Sequence, residues 1–115
     1  MHVEVRTRGL EAASDVREHA VRRIHATLSR FAGEVSSALV RITDVNGPRG
    51  GADKRCQITL RGQRIGSATV EEHHADAYAA IHLAVERAAA AVGRTIERRR
   101  SQRRDWDRMT WRTTE

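Results

Sequence analysis

The first third of the chain changes from a two-residue to a helical hydrophobic period. Residues 2–8 alternate apolar and polar side chains, which predicts a half-buried strand. Between 13 and 31 the apolar positions instead recur at steps of four and three, as on one face of a helix. Those positions are Val16, Ala20, Ile24, Leu28 and Phe31. Ser14 or Asp15 stands near the start of this predicted helix, and Gly33 follows its end.

Alternation returns in the middle of the chain and predicts three further strands. The second predicted strand covers 35–45, and the third covers 55–61. Between them, 46–51 holds the only proline and three glycines, which predicts a mobile hairpin loop. Gly62 and Gln63 form a predicted tight turn before a fourth strand at 64–70, whose register the pattern defines less sharply.

A long amphipathic helix is predicted at 76–104. Its apolar stripe consists of Tyr78, Ile81, Val85, Ala88, Val92 and Ile96. Asp76 is the predicted N-cap, because its carboxylate precedes the first residue of the helical period. Residues 101–115 are polar and lack a period, so we predict a frayed helix end that passes into a basic, disordered tail.

These elements predict an α+β domain with the order β-α-β-β-β-α. The first two strands are separated by a helix and can pair in parallel through a right-handed crossover, whereas the last three form a meander. We therefore expect a four-stranded sheet with both helices packed on one face. A length of 115 residues is that of one domain.

The charge balance points to a polyanionic partner. There are 21 lysines and arginines against 15 acidic residues, and the isoelectric point is near 11.1. We predict no membrane partner, because no apolar run approaches the roughly 20 residues that span a bilayer and the basic helix lacks a bulky apolar face. A single cysteine and a charged N-terminus favour a cytoplasmic protein.

Arginines lie on both predicted helices and on the open side of the sheet. Arg87, Arg94 and Arg98 share one line of the last helix, which we call the ridge. Arg22, Arg23 and Arg30 lie away from the apolar stripe of the first helix. The sheet side opposite the helices would carry Arg6, Arg8, Arg41, Arg55 and Arg61. A solvated helix face is the alternative for the ridge, but several cationic surfaces with few acids between them favour phosphate binding.

Catalysis and metal binding are not predicted. His73, His74 and His82 do not reach the convergent spacing of a zinc site, and no nucleophile motif is present. Cys56 is predicted to point inward from its strand, and Tyr78 to anchor the core. We expect no cofactor and no small-molecule substrate. Because the open side of the sheet has no aromatic residue, we predict phosphate contacts rather than base stacking.

Two segments resemble the ribosome hibernation promoting factor family, also called ribosome-associated inhibitor or sigma-54 modulation protein. Residues 16–20 (VREHA) are similar to the family's first-helix pattern, and residues 76–81 (DAYAAI) to its last-helix opening. The ridge arginines fall where the family carries Lys or Arg. The resemblance is to the short form and covers 1–100, which would be a ribosome-binding domain, with 101–115 as its tail.

The resemblance implies a partner and a function. It implies binding to the small ribosomal subunit and its rRNA near the decoding centre, silencing or storage of idle ribosomes under stress, and no enzymatic activity. The predicted rRNA-binding residues are Arg87, Arg94, Arg98, Arg22, Arg23, Arg30 and Arg8. A general binder of double-stranded RNA or DNA, and a protein-interaction module without ribosome binding, are the alternatives. The oligomeric state stays open.

Overall fold

A computed structural model describes residues 1–45 and 53–113, with side chains as far as residue 109. The described elements follow the predicted order β-α-β-β-β-α, so the predicted α+β fold is confirmed. The elements are β1 (His2–Arg8), α1 (Ala13–Leu28) followed by a 3-10 turn (Ser29–Phe31), β2 (Ser37–Asp44), β3 (Lys54–Gly62), β4 (Gly66–His74) and α2 (Ala77–Thr113). The predicted loop at 46–51 and the last two residues of the predicted tail lie outside the described residues.

The sheet has the strand order β1-β2-β3-β4. β1 pairs with β2 in parallel, as predicted, and α1 supplies the crossover that a parallel pair requires. β2, β3 and β4 pair antiparallel and form the predicted meander. One row of cross-strand partners runs through Val5, Val40, Ile58 and Val70. This register places the apolar positions of all four strands on the same face.

Both helices cover that apolar face, and the core lies between the two layers. The sheet contributes buried residues at alternate positions, namely Ala38, Val40, Ile42, Cys56, Ile58 and Leu60. The helices contribute Val16, Ala20, Ile24, Leu28, Ala77, Ala80, Ile81, Ala84, Val85, Ala88, Ala89 and Val92. Burial of each Val, Leu or Ile side chain stabilises the fold by about 1.5–3 kcal/mol, so this two-layer core is the main source of stability.

α1 begins at its predicted position, whereas its end and the bounds of β4 differ from the prediction. α1 begins at Ala13 after Ala12, which has the left-handed φ of 51°, and no side chain caps it. It ends at Leu28 rather than Phe31, because residues 29–31 form the 3-10 turn. β4 extends to His74, four residues past the predicted end at 70. Pairing with the long strand β3 accounts for this extension, because Lys54 at the start of β3 lies opposite His74.

The start of α2 is as predicted, but its end is not. The Asp76 carboxylate accepts a hydrogen bond from the Tyr78 N–H at 3.2 Å, which confirms the N-cap. α2 then continues for 37 residues to Thr113, about 55 Å at 1.5 Å per residue. The prediction of a frayed end and a disordered tail treated the loss of apolar period as the end of the helix. No Pro or Gly follows Gly93, so nothing in the sequence interrupts the helical backbone there.

The second part of α2 projects past the sheet. Val92 is the last buried residue of α2, and Ile96 is its last residue packed against the core. We call residues 97–113 the overhang. The molecule is correspondingly elongated, with extents of 69, 24 and 16 Å. None of the described helices is long and apolar enough to cross a membrane.

Candidate nucleic-acid interface

The ridge lies on the side of α2 that faces β4. The Arg87 guanidinium donates hydrogen bonds to the Glu71 carbonyl at 3.2 Å and to the Glu72 carboxylate at 3.1 Å, both on β4. Arg94 and Arg98 line a groove together with Ser67 of the same strand. The structure therefore brings the three arginines onto one flank of the molecule, along the edge strand of the sheet.

The three ridge arginines differ in electrostatic state. Arg87 forms an ion pair with Glu72, although its side chain stays 58 % exposed. Within the described part of the chain, neither Arg94 nor Arg98 forms an ion pair, and both are exposed. Two of the three positive charges are therefore not offset by a neighbouring carboxylate and are available to an anionic partner.

The arginines of α1 lie across α2 from the ridge. Arg22 pairs with Glu18 one turn earlier, at 3.0 Å. Arg23 reaches α2 and contacts the Glu86 carboxylate at 3.3 Å and the His82 ring nitrogen at 2.9 Å. Because Glu86 and His82 face α1 while Arg87 faces β4, Arg23 and Arg87 lie on different sides of α2.

Arg30, the third predicted arginine of the first helix, lies in the 3-10 turn after α1. Its guanidinium stacks over the Phe31 ring at 4.8 Å from the ring centroid. Such a cation–π contact holds the guanidinium plane against the protein, while the residue remains exposed.

Arg8 and four other arginines lie on the open face, the side of the sheet away from the helices. The register places Arg6 and Arg41 side by side, and Arg8 in the same row as Arg55. Two glutamates stand among them. Glu4 pairs with Arg6 at 3.1 Å, and Glu71 approaches Arg55 at 3.9 Å. The predicted placement is confirmed, but part of the charge on this face is offset within the sheet.

Cys56, His73 and His74 were the residues considered for nucleophilic or metal chemistry. Burial raises the pKa of the Cys56 thiol to about 12, so the thiol is protonated at neutral pH and is a poor nucleophile. His73 and His74 have separate partners: His73 lies 3.1 Å from a Glu71 oxygen, whereas the His74 ring nitrogen accepts the Asp76 N–H. No group of three potential metal ligands occurs among the residues that the structure describes.

Tyr78 is not the core anchor that the helical period predicted. Its side chain is 41 % exposed. Its ring packs edge-on against His19 of α1, with a centroid distance of 4.8 Å. Tyr78 shares the helical angle of Ile96, but it lies in the first turn of α2. There the neighbour is the exposed side of α1 rather than the sheet.

The overhang carries a groove lined by arginines that was not predicted from the sequence. Arg99, Arg100, Arg103 and Trp106 line a groove of about 750 Å³. Its other wall is formed by Arg64 of the β3–β4 turn and Glu34 of the segment before β2. The signal was present in the sequence: steps of three, four and three join Ile96, Arg99, Arg103 and Trp106. It was overlooked because 101–115 were interpreted as a disordered tail.

Comparison with known proteins agrees with this architecture. The N-terminal domain of Thermus thermophilus Protein Y is similar, with a TM-score of 0.66 and 28 % sequence identity over 82 % of this chain and 98 % of that chain. A ribosomal subunit interface protein from Coxiella burnetii shares the fold, with a TM-score of 0.67 and 13 % identity over 82 % of this chain and 96 % of that chain. No curated protein sequence matches the chain.

Family membership rests on the sequence match itself. The model of the family described as Sigma 54 modulation protein / S30EA ribosomal protein matches residues 3–100, which is most of the chain. The match covers all four strands, α1 and the part of α2 that packs on the sheet. It also confirms the resemblance drawn from residues 16–20 and 76–81. The chain therefore belongs to the Sigma 54 modulation protein / S30EA ribosomal protein family, the family of ribosome hibernation promoting factors.

Proposed function

We propose that this protein binds the small ribosomal subunit near the decoding centre, through contacts to rRNA phosphates, and silences or stores idle ribosomes under stress. It would act in the cytoplasm as a binding protein without catalytic activity. Two findings support the class of function, namely the family match and the similarity to the Protein Y domain at 28 % identity. Among the finer statements, the small subunit and the location near the decoding centre are what the family resemblance implies, and the phosphate contacts rest on the charges of the molecule.

The observation that carries the proposal is the unpaired part of the ridge. Arg94 and Arg98 stand one helical turn apart on the flank of α2, exposed, with no ion pair among the described residues. Arginines one turn apart on a helix lie close enough together to reach neighbouring phosphates of a nucleic-acid strand. Arg87 extends this line toward the start of α2, but binding there would compete with its ion pair to Glu72.

Phosphate binding makes a quantitative prediction for the ridge. Each arginine that neutralises a phosphate releases a condensed counterion, so its loss lowers the slope of log affinity against log salt by roughly 0.7 to 0.9. We expect the combined change of Arg87, Arg94 and Arg98 to alanine to abolish ribosome binding at physiological salt. Arg94→Ala alone should weaken it modestly, and Arg87→Ala less, because Glu72 already offsets that charge.

The experiment is co-sedimentation with isolated small subunits in sucrose gradients, over a series of salt concentrations. The matched control is the triple alanine variant of Arg103, Arg104 and Arg108, which removes the same charge from the overhang. Both variants should keep the fold, because exposed charges contribute little to stability. Loss of binding in the overhang variant together with retention in the ridge variant would show that the ridge is not the binding surface.

The alternatives give different results in the same experiment. Equal affinity for free duplex RNA and for small subunits would indicate a general RNA-binding protein. Absence from small subunits and from whole ribosomes, even at low salt, would leave a protein-interaction module. The proposed function instead requires subunit binding that is tighter than duplex binding and that depends on the ridge.

A further inference from the structure

The face of α2 that packs on the sheet continues into the overhang with a different composition. Up to Ile96 this face is apolar. Beyond it, the same line carries Arg99, Arg103 and Trp106. A face without a sheet beneath it has no core to enter. Burial in the core therefore does not account for arginine and tryptophan on this face.

The overhang groove concentrates positive charge. Four arginines line it, namely Arg64, Arg99, Arg100 and Arg103, against the single carboxylate of Glu34. Among the described residues, none of the four forms an ion pair, whereas their neighbour Arg104 pairs with Glu97 at 3.7 Å. The groove therefore presents guanidinium groups from two elements, α2 and the β3–β4 turn, to one volume. This arrangement suits a chain of phosphates.

Trp106 adds an aromatic surface at the end of this line. Its side chain is 66 % exposed, so a large part of the indole is accessible to solvent. The groove volume of about 750 Å³ lies within the range of roughly 300–1,000 Å³ typical of clefts that hold small ligands. An aromatic ring beside several arginines is the combination by which proteins hold unpaired nucleotides. The base stacks on the ring, and the flanking phosphates contact the cations.

We propose that the overhang groove binds a single-stranded polynucleotide, with one unpaired base stacked on Trp106 and neighbouring phosphates held by Arg64, Arg99 and Arg103. Duplex RNA fits less well, because its bases are stacked on one another and offer no free face to the indole. An acidic peptide would use the arginines but leave Trp106 without a role. The overhang groove adjoins the ridge, because Arg99 and Gln102 line both this groove and the one that Arg94 and Arg98 line. Its binding of a single strand does not depend on ribosome binding.

This inference revises the expectation of phosphate contacts without base stacking. That expectation considered only the open face of the sheet, which has no aromatic residue. The structure places the aromatic residue on a helix instead, beyond the end of the sheet.

The test is fluorescence anisotropy of labelled octauridylate and octathymidylate, titrated with the full chain at low salt. We expect both to bind, because stacking and phosphate contacts do not require a 2′-hydroxyl. Tighter binding of octauridylate than of octathymidylate would identify RNA as the ligand. Equal binding of the two would show that the groove accepts a single strand of either RNA or DNA.

Trp106→Ala should weaken binding by roughly five- to hundredfold, the usual range for loss of one stacked base. Trp106→Phe should retain binding within a few fold, because it keeps an aromatic face.

Matched controls separate the groove from general charge. Arg103→Ala should weaken binding severalfold, whereas Arg104→Ala, which removes the same charge from the adjacent residue outside the groove, should leave affinity within about twofold. Far-UV circular dichroism should show full helix content in each variant, since alanine favours the helix. Three outcomes would each overturn the proposal. Trp106→Ala could bind with wild-type affinity, Arg103→Ala and Arg104→Ala could lose affinity equally, or a duplex could compete for the groove as well as a single strand does.

Discussion

The two parts of α2 form one continuous helix but differ in what their side chains contact. From Ala77 to Ile96 the inward face consists of apolar residues, most of them buried against the sheet. The overhang, 97–113, carries seven arginines and three acids, and none of its described side chains is buried. A helical period is present in both parts, but only the first part has a layer to pack against. What a helix face does is therefore decided by what lies opposite it.

This difference separates stability from binding along a single element. The covered part holds the domain together, and the overhang can change without cost to the core. Variants in the covered part should therefore change the stability of the domain, and variants in the overhang should change binding.

Ile81→Ala should be strongly destabilising. Ile81 is fully buried in the covered part of α2, and truncation of a buried Ile to Ala typically lowers the free energy of unfolding by about 2–5 kcal/mol. Urea denaturation, followed by circular dichroism, measures the change. The control is Met109→Ala in the overhang, where the side chain is 61 % exposed and the expected change is within about 0.5 kcal/mol. Comparable losses in both variants would mean that the overhang contributes to the core.

Gly93→Ala should stabilise the protein. Gly93 lies inside α2, and a Cβ at this position would meet no atom within contact distance. Replacing a helical glycine by alanine should therefore raise the free energy of unfolding by about 0.4–1 kcal/mol. The thermal midpoint of unfolding gives the measurement.

Gly62→Ala is the matched control for that change and should have the opposite sign. A Cβ on Gly62 would overlap the backbone carbonyl of Glu34, which cannot move aside as a flexible side chain could. The result would also test how firmly Glu34, a wall of the overhang groove, is held against β3. If Gly62→Ala stabilised the protein as Gly93→Ala should, the backbone at Glu34 would have to move aside at little cost in free energy.

The smallest expected effect is a pH dependence from His19 of α1, which packs against Tyr78 at the start of the covered part of α2. Burial, followed by the nearby charges of Arg22 and Arg23, lowers the pKa of His19 below its ordinary value of 6.5, and Asp76 opposes this shift. The unfolded chain therefore binds the His19 proton more readily than the folded chain. Stability should fall as the pH drops through 6.5.

Urea midpoints at pH 7.5 and 5.5, for the wild type and His19→Gln, measure this contribution. The variant should lose less stability on acidification than the wild type. All six histidines precede the overhang, so deletion of residues 101–115 should leave the wild-type pH dependence unchanged. If His19→Gln lost more stability than the wild type on acidification, the pKa of His19 would be raised rather than lowered by folding.

Much of the fold was predictable because alternation and helical period report on burial within one element. The bounds of β1, the strand order and the N-cap at Asp76 followed from local chemistry. The common flank of Arg87, Arg94 and Arg98 followed from helical geometry alone. A period gives the angle of a residue on its own helix and nothing about the neighbour that it faces.

That limit accounts for what the sequence did not predict. The partners of Arg87 and Arg23 are Glu72 on β4 and Glu86 on the other helix, far away in sequence. Tyr78 has the same helical angle as Ile96, yet its ring packs against His19 of α1 and stays 41 % exposed. The overhang groove needed both the continuation of the helix and the position of Arg64 in a distant turn.

The only cysteine of the chain lies in β3, between β2 and β4 and beneath both helices. Cys56 has no exposed surface, and burial raises the pKa of its thiol to about 12. A thiol reagent can reach the sulfur only when the sheet itself comes apart. The rate of Cys56 labelling therefore reports global opening of this domain rather than local fraying. Because the chain has no second thiol, the labelling rate reports on this single position.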